Sequence, residues 1–459
     1  MTTVHPQDLV EHALARSTAD ACVVIVSDGT GANLRWANNT LTTNGVMHAV
    51  EVTVISFVGQ GNASVSGSAA SPEQVTALVE QAEDAARRAE PAEDRAELVA
   101  GRVSDDWDEA PEGTSIEVFR DFATDLGEAF ERSEAEQRIL YGFVSHDVTT
   151  TYVGSSTGLR LRHVQPTGHY GCTGKNAALT NSAWVGGATR DFHDVSADQV
   201  VAELTERLAW GERRVDLPAG RYDTVLPPTA VADLMIDVYW GAGARVAHEG
   251  QSVFSRPGGG TRIGDAFVNR SVTLRSDPAH PGLGCAPFVV ASGSSDSTSV
   301  YDNGLPLDAT SWIAGGELAA LLQTRETAVL TGQPVTSAID NLVLEVAGGT
   351  GSTLDLVGDL EDGLLLTCLW YIREVDPQTM LLTGLTRDGV YQVRGGEIVG
   401  AVNNFRFNES PVELLRRFTA ASATVPSFSR EWGDDYFSRT ATPALRVPDF
   451  NMSSVSQAL

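Results

Sequence analysis

The first candidate for chemistry is the pair His248–Glu249, which opens like a His-Glu-x-x-His zinc motif. In that motif two histidines one helical turn apart bind zinc, and the glutamate acts as general base. Here Ser252 and Val253 follow, so no second ligand lies one turn further on. The chain continues through Gly250 into Arg256–Gly260 (RPGGG), which does not favour a helix. We therefore interpret this segment as a polar loop.

The histidines at His163 and His169 are the next candidates, because Tyr170 and Cys172 follow closely. Side chains alternate between the two faces of a strand, so His169 is predicted to face away from Tyr170 and Cys172. That geometry is unfavourable for a His–Cys metal pair. The same alternation argues against an acid–base pair at His146–Asp147, since adjacent side chains of a strand point apart.

Glycine-rich segments are the third class of candidate, because such loops bind phosphate when they follow a strand and open a helix. None of them here has that context, and the sequence contains no Gly-Lys-Ser/Thr and no Gly-x-Ser-x-Gly. Gly348–Thr353 (GGTGST) could bind an anion, but a tight crossing between strands is favoured. The residues alone therefore predict no catalytic residue and no metal ligand.

The net charge and the cysteine content indicate which partners and which cellular compartment to expect. The 459 residues include 32 Lys and Arg and 60 Asp and Glu, which gives a formal net charge of −28. Nucleic acids and anionic membranes repel such a surface, so neither is expected as a partner. Cys22, Cys172, Cys285 and Cys368 are far apart in the sequence, which predicts buried, reduced thiols in a reducing compartment.

Targeting and membrane signals are not apparent in the sequence. Met1–Val10 has neither the basic start nor the apolar core of a secretory signal. The longest apolar run, Leu364–Ile372, is far shorter than the ~20 residues needed to cross a bilayer and predicts a buried strand. We expect a soluble cytoplasmic protein.

The elements that must position these residues alternate in the first part of the chain. Helical spacing of apolar residues predicts helices at Gln7–Ser17, Ser71–Ala89, Ile116–Phe130 and Ser196–Trp210. Strands are predicted at Ala21–Ser27, Leu34–Ala37, Ala49–Val58, Ile139–His146, Val148–Val153, Leu159–Val164 and Trp184–Ala188. Asp28–Gly29 is predicted to be a turn. The alternation indicates an α+β fold, with an N-terminal α+β domain over residues 1–220.

The second part of the chain has a different pattern. A helix is predicted at Pro228–Trp240, opened by two prolines and a threonine. Beyond it the sequence is rich in glycine and in strand-like segments, separated by turn pairs such as Asn303–Gly304 and Asp362–Gly363. This pattern predicts a large, mostly antiparallel, β-rich domain over residues 221–459.

A set of short segments in this second part has the order and spacing found in a known family. They are Gly250–Ser255 with Gly264, Asp277–Pro278, Asn303–Gly304, Ile313–Leu318, Asn341–Leu344, Gly351–Ser352, Asp376–Pro377, Gly389, Glu397–Ile398 and Pro443–Val447. Taken together they resemble the TldD/PmbA family, also called TldD/TldE, which is related to metallopeptidases. The resemblance covers essentially the whole chain and is strongest from Tyr222 onwards.

The resemblance also indicates which subunit type this chain represents. Active, TldD-like subunits carry His-Glu-x-x-x-His on a helix that lies a little before the segment equivalent to Gln251–Ser255. That relation places the corresponding helix here at residues 235–240 (MIDVYW). Met235 and Trp240 then stand where the histidines are expected, and Ile236 stands where the glutamate is expected. None of these three side chains can bind zinc or act as the general base, because zinc requires imidazole, thiolate or carboxylate donors.

The third zinc ligand of TldD-like subunits is a cysteine near the C-terminus. No cysteine follows Cys368 here, and the region before Pro443 reads WGDDYF from Trp432. These differences match the second subunit type, PmbA or TldE, which lacks the zinc motif. The resemblance therefore implies no catalytic residue, no metal ligand and no cofactor in this chain.

The resemblance implies a partner and a substrate class as well. The zinc is expected in a TldD-like partner subunit, which hydrolyses short or unfolded peptides inside an enclosed chamber. The metal-free subunit helps to build the chamber walls, and members of the family also mature peptide antibiotics such as microcins.

Two alternatives stay open. The chain could be a stand-alone hydrolase or peptide-tailoring factor that uses His248, Glu249, His169 or a cysteine. It could also be a homodimeric peptide-binding scaffold without a TldD-like partner. One further feature is the turn Asp302–Gly304 (DNG), where active relatives tend to carry an Asp-Glu-Gly-like turn.

Overall fold

Short helices are distributed along the chain in this computed structural model, which describes residues 4–387, 389–433 and 439–456. The α-helices are α1 (Pro6–Arg16), α2 (Pro72–Ala86), α3 (Arg120–Ala135), α4 (Ala197–Trp210), α5 (Pro228–Trp240), α6 (Ala244–His248), α7 (Arg325–Thr331), α8 (Thr353–Gly358) and α9 (Pro411–Arg417). Two 3₁₀ turns lie at Ile116–Phe119 and Val300–Asp302.

The first sheet is antiparallel and has six strands in the order β3-β2-β1-β4-β5-β6. Its strands are β1 (Ala21–Ala37), β2 (Thr40–Val58), β3 (Gly61–Ser68), β4 (Arg138–Ser155), β5 (Arg160–Asn176) and β6 (Ser182–Thr189). One face packs against α1 to α4, because alternate side chains of β1 such as Val24 and Leu34 join the helix-side cores. Residues Val23 and Ile25 on the other face contact Tyr301 and its neighbours.

Two further sheets are built from residues 214 onwards. Their strands are β7 (Arg214–Val215), β8 (Gly220–Leu226), β9 (Val272–Ser276), β10 (Thr310–Ala314), β11 (Glu317–Leu318), β12 (Leu342–Val346), β13 (Asp362–Leu366), β14 (Leu369–Asp376), β15 (Leu381–Thr386), β16 (Val390–Arg394), β17 (Glu397–Val402), β18 (Phe405–Glu409), β19 (Ala420–Ala421), β20 (Val425–Ser427), β21 (Thr440–Thr442) and β22 (Leu445–Val455). The second sheet has the order β11-β10-β9-β12-β21-β20, and the third has β14-β15-β18-β22-β8-β13-β16-β17-β7 with β19 on β22.

The fold class is α+β, as predicted, and the pairing in the later sheets is mostly antiparallel. The parallel pairs are β8–β13, β12–β21 and β7–β17. The division into domains at residue 220 stays a prediction. In the described part of the chain no helix combines the length and the apolar character that spanning a bilayer requires.

The predicted turn at Asp28–Gly29 is wrong. Both residues lie in the middle of β1, where Asp28 is opposite Val50 of β2 and Thr150 of β4. The hairpin turn lies at Asn38 and Asn39, which have positive φ angles of 52° and 56°. Pairing on both sides of β1 keeps the Asp-Gly pair extended, and the Asn-Asn pair adopts the left-handed conformation that tight hairpins need.

Several other strand predictions merge or divide. The two strands predicted between Ile139 and Val153 form one strand, β4, which pairs along its length with β1 and β5. The single strand predicted at Leu364–Ile372 is two strands, since β13 ends at Leu366 and β14 begins at Leu369. These strands belong to different parts of the third sheet.

The predicted helices are confirmed, with ends set by local capping. Ser71 and Ser196 each accept a hydrogen bond from the backbone N–H three residues later. Helix α5 has the predicted bounds and carries proline at its first position. The four cysteines are free and buried, as predicted.

The turn Asp302–Gly304 is a buried junction. The Asp302 carboxylate accepts hydrogen bonds from Arg325 Nε (2.6 Å) and from the Arg325 backbone N–H (3.2 Å). The Asn303 amide donates to the carbonyls of Ala291 and Val300 and accepts from the Ala291 N–H. Asn303 is 2% exposed. This position requires a donor and an acceptor together, which explains why asparagine stands where a glutamate would supply no donor.

Replacing Asn303 with alanine should therefore destabilise the protein. The substitution leaves buried backbone groups of Ala291 and Val300 unpaired, and we expect a loss of about 2 kcal/mol or more in the free energy of unfolding. Denaturant unfolding of the purified variant measures this loss. The matched control is Asn62→Ala, because among the described residues the Asn62 amide makes one long contact, of 3.4 Å with Tyr301 Oη. Equal losses in the two variants would contradict the assignment.

Candidate functional site

Helix α5 is the element that the sequence places at the centre of the candidate site. Almost every residue from Ala230 to Tyr239 is buried. Met235 and Ile236 are 1% and 0% exposed and belong to the largest apolar core. Trp240 at the end of the helix is 42% exposed and packs edge-on against Trp432, with ring centroids 5.2 Å apart.

Two carboxyl groups lie one helical turn apart on this apolar helix. Asp233 is 0% exposed, and its Oδ1 accepts hydrogen bonds from Ser429 Oγ (2.7 Å) and from the Glu431 N–H (3.1 Å). Burial raises the pKa of Asp233 to about 7. Burial also raises the pKa of Asp237 to about 7, with a further contribution from the nearby charge of Asp233. Within the described residues, Oδ2 of each carboxyl has no hydrogen-bond partner, which agrees with the raised pKa values because nothing at that oxygen stabilises the ionised form.

The segment that covers α5 is anchored by three consecutive residues, of which Ser429 is the first. The Arg430 guanidinium lies between the rings of Trp184 (4.9 Å) and Trp370 (4.4 Å). The Glu431 carboxylate accepts hydrogen bonds from the backbone N–H groups of Tyr371 and Ile372 in β14. Since Trp184 belongs to β6, this segment connects α5, the first sheet and the third sheet.

The donors near α5 do not fit zinc. Met235, Ile236 and Trp240 offer no imidazole, thiolate or carboxylate. The two aspartates are carboxyls with pKa values near 7, and no histidine or cysteine joins them. Across residues 4–387, 389–433 and 439–456 no group of three or more His, Cys, Asp and Glu side chains could hold a metal ion. Residues 434–438 lie outside the described residues. They include most of the segment WGDDYF, which corresponds to the region expected to carry a C-terminal ligand.

A cleft of about 1110 Å³ lies beside the segment that covers α5, between the first sheet and the later sheets. Its walls include β5, β6 and α4 on one side, and residues of β20 and of the 277–285 segment on the other. The charged side chains at its surface are Arg190, Asp194, Glu203, Glu206, Arg207, Asp277, Asp308 and Arg439. The volume slightly exceeds the range of about 300–1,000 Å³ for small-molecule pockets, so the cleft has room for an extended peptide segment.

The structure does not bring the histidine candidates together at one site. His163 lines the cleft, bonds to Gln165 Oε1 (3.1 Å) and has a pKa lowered by burial. His169 stacks on Phe428 and contacts Ser145 Oγ (3.1 Å). As predicted, His169 lies on the other face of β5 from Cys172, and Cys172 packs in the core on the helix side of the sheet.

The remaining candidates have structural partners. Buried His146 contacts Thr114 Oγ1 and the Arg190 carbonyl, both at 2.7 Å, whereas Asp147 faces Gly31 on the other side of the sheet. His248 ends the five-residue helix α6 rather than lying in a loop, and Glu249 follows it. The prediction that no glycine-rich segment follows a strand and opens a helix is wrong: segment 348–353 follows β12 and leads into the six-residue helix α8 through a capping box at Ser352, rather than crossing between strands.

The comparisons with known proteins agree with this architecture. Residues 219–454 match the model of the PmbA/TldA metallopeptidase C-terminal domain. The chain belongs to the PmbA/TldD family. No curated protein sequence matches it.

Solved structures share the fold across the whole chain. TldE from Thermococcus kodakarensis superposes with a TM-score of 0.78 at 15% identity, covering 97% of this chain and 99% of that one. A protein of Thermotoga maritima described as a candidate modulator of a DNA gyrase gives 0.76 at 16% identity, with coverages of 97% and 99%. A similarly described protein of Bacteroides thetaiotaomicron gives 0.72 at 13% identity and 98% of each chain. At these identities the likeness shows the fold alone.

Sequence reasoning missed Asp233, Asp237, Arg430 and Glu431. The first two carried a usable signal, since aspartates four residues apart interrupt an otherwise apolar helix and share one face. Arg430 and Glu431 gave no such signal, because their partners lie in strands more than 50 residues away.

Replacing Asp237 with asparagine should change how stability depends on pH. A carboxyl whose pKa is higher in the folded protein than in the unfolded chain contributes stability at low pH, which is lost as pH rises towards about 7. Asparagine does not ionise, so the variant should gain relative to the unaltered protein between pH 5 and pH 8, by on the order of 1 kcal/mol. Denaturant unfolding across that range measures the difference.

The matched control is Glu131→Gln, which makes the same chemical change at an exposed position of α3. Its stability difference from the unaltered chain should vary little over the same range. A difference for Asp237→Asn that does not increase with pH would contradict the raised pKa of Asp237.

Proposed function

We propose that this chain is a non-catalytic, TldE/PmbA-like subunit of a heteromeric TldD-type zinc peptidase that degrades or matures small unfolded peptides. The observation that carries the proposal is the burial of Met235 and Ile236 in the apolar core of α5. These are the positions at which the resemblance places a zinc ligand and the general base. Side chains packed in this way stabilise the helix, but they cannot bind a metal ion or activate a water molecule on it.

The partner in this proposal is a TldD-like subunit of the same fold, which supplies the zinc. A chamber that hides its metal admits only extended chains, and a second subunit can form part of its wall without ligands of its own. The cleft beside α5 supports a role in receiving peptide, because its wall combines apolar surface with both signs of charge. The net charge of −28 argues against nucleic acid as the partner.

Metal content and activity of the separated chains test the proposal. The purified chain is expected to contain no stoichiometric zinc by elemental analysis and to cleave no unstructured peptide. After mixing with a purified family member that carries His-Glu-x-x-x-His, a stable complex with peptidase activity is expected. The control is the same mixture with the partner's motif glutamate replaced by glutamine, which should assemble and remain inactive.

Two results would contradict the proposal. One zinc per chain in the isolated protein would show that ligands exist in it. Peptide cleavage by the isolated protein that is lost in His248→Ala, Glu249→Ala or His169→Ala would identify a stand-alone hydrolase.

A further inference from the structure

Helix α4 presents a regular row of side chains to the cleft. Glu203, Glu206, Arg207 and Trp210 all line the cleft. Their spacing of three and four residues places them on one face of the helix. The opposite face packs on the first sheet, where Leu204 belongs to the apolar core. These four side chains are called the α4 stripe below.

The α4 stripe carries one uncompensated negative charge. Arg207 donates one hydrogen bond to the Trp184 carbonyl (2.6 Å) and another to the Glu203 carboxylate, so these two charges neutralise each other. Glu206 is exposed, and among the described residues its carboxylate takes part in no hydrogen bond and no ion pair. A ligand in the cleft therefore meets a single free carboxylate on this helix.

An aromatic ring lies next to that carboxylate. Trp210 follows Glu206 by one helical turn, which brings the two side chains to within roughly 6 Å of each other. The Trp210 ring packs edge-on against Tyr391, with ring centroids 5.3 Å apart, and against the apolar cluster that includes Leu356 and Val357 of α8. This packing holds the indole in place. A carboxylate beside a fixed indole offers a cation both an opposite charge and an electron-rich ring face.

The facing wall adds no charge that would repel a cation there. Trp210 connects the C-terminal end of α4 to the cluster that contains α8, and the residues of α8 that line the cleft are Thr353 and Leu354. Neither is charged, and Leu354 is 49% exposed. The surroundings of Glu206 therefore suit a long side chain with an apolar stem and a charged end.

The other guanidinium groups of the cleft lie elsewhere or are already bound. Arg190 follows β6 and is six residues beyond Trp184, which is roughly 20 Å along an extended chain. Arg439 donates to the Asp340 carbonyl (2.9 Å) and to Thr167 Oγ1 (3.2 Å). Five carboxylates and three guanidinium groups line the cleft as a whole, and the chain carries a net charge of −28. Charge complementarity thus favours a cationic ligand over an anionic one.

We propose that the α4 stripe is a subsite for a lysine or arginine side chain of a peptide bound in the cleft. Glu206 forms the ion pair with the cationic end, and Trp210 provides the surface on which that end stacks. This inference rests on the proposed function for the peptide nature of the ligand. It adds that the metal-free subunit contributes to the choice of substrate.

Two peptides that differ in one charge test the inference. Both have ten residues without other charged side chains, blocked ends and a fluorescent label, and they carry either arginine or its neutral analogue citrulline at the centre. Binding is measured by fluorescence anisotropy on the complex with the His-Glu-x-x-x-His partner, whose motif glutamate is replaced by glutamine so that no peptide is cleaved. We expect the arginine peptide to bind about fivefold more tightly in 50 mM salt, and this preference should weaken as salt screens the ion pair.

Substitutions of Glu206 assign the preference to the α4 stripe. Glu206→Gln should bring the preference for arginine below twofold and leave the affinity for the citrulline peptide unchanged, which shows that the cleft itself is intact. Glu206→Arg should reverse the preference towards a third peptide with glutamate at the centre. Glu206 is exposed, so both variants should fold. The matched control is Glu131→Gln, which removes the same charge from an exposed position of α3 outside the cleft and should keep the preference.

The outcomes separate this inference from the proposed function. If the complex with the intact partner cleaves peptides, but the arginine and citrulline peptides bind equally well or neither binds, the inference is overturned and the proposed function stands. A preference for arginine that persists in Glu206→Gln places the cation elsewhere and also overturns the inference. If no complex forms and no peptide is cleaved, both are overturned.

Discussion

The burial of the Asp233 carboxyl inside the packing of α5 constrains the structure around it. A carboxyl removed from water must be hydrogen-bonded or neutral, and the only hydrogen bonds to Asp233 within the described residues come from Ser429 and Glu431. Those two bonds fix the path of the covering segment over the helix. Once that path is fixed, the side chain of Arg430 between them points to the two tryptophans, and the carboxylate of Glu431 points to β14. One buried polar group thus aligns three parts of the fold.

The same region places two acidic groups on an otherwise apolar helix. In a metal centre the cation compensates the negative charge of buried ligands. Around α5 burial raises the pKa values of Asp233 and Asp237 to about 7, so partial protonation near neutral pH reduces their negative charge. Met235 and Ile236 meanwhile pack in the core. The helix therefore packs the core through its apolar side chains and holds the segment 429–431 through Asp233.

Local signals in the sequence predicted the local parts of this structure. Proline at the start of α5, the serine caps of α2 and α4, and the spacing of apolar residues gave helices close to those observed. The Asp28–Gly29 prediction failed because a turn preference is local, whereas pairing of β1 with β2 and β4 is decided by residues up to about 120 positions away. The same limit hid the Arg430 contacts, which join residues 184, 370 and 430. The two aspartates of α5 could be recognised in the sequence, but their hydrogen bonding depends on the segment packed against them.

The two sides of the first sheet differ in how far they are engaged within the chain. At the β6 edge, Arg207 donates to the Trp184 carbonyl, and the Trp184 ring packs on Arg430, so this edge is engaged within the chain beside the cleft. Towards the opposite side of the same sheet, no strand among the described residues pairs with the outer side of residues 40–49 of β2. Strands β1, β4 and β5 lie between β2 and β6, which at ~4.8 Å between neighbouring strands places the two edges roughly 19 Å apart. The cleft is therefore walled on its sheet side by the strand whose edge is engaged within the chain.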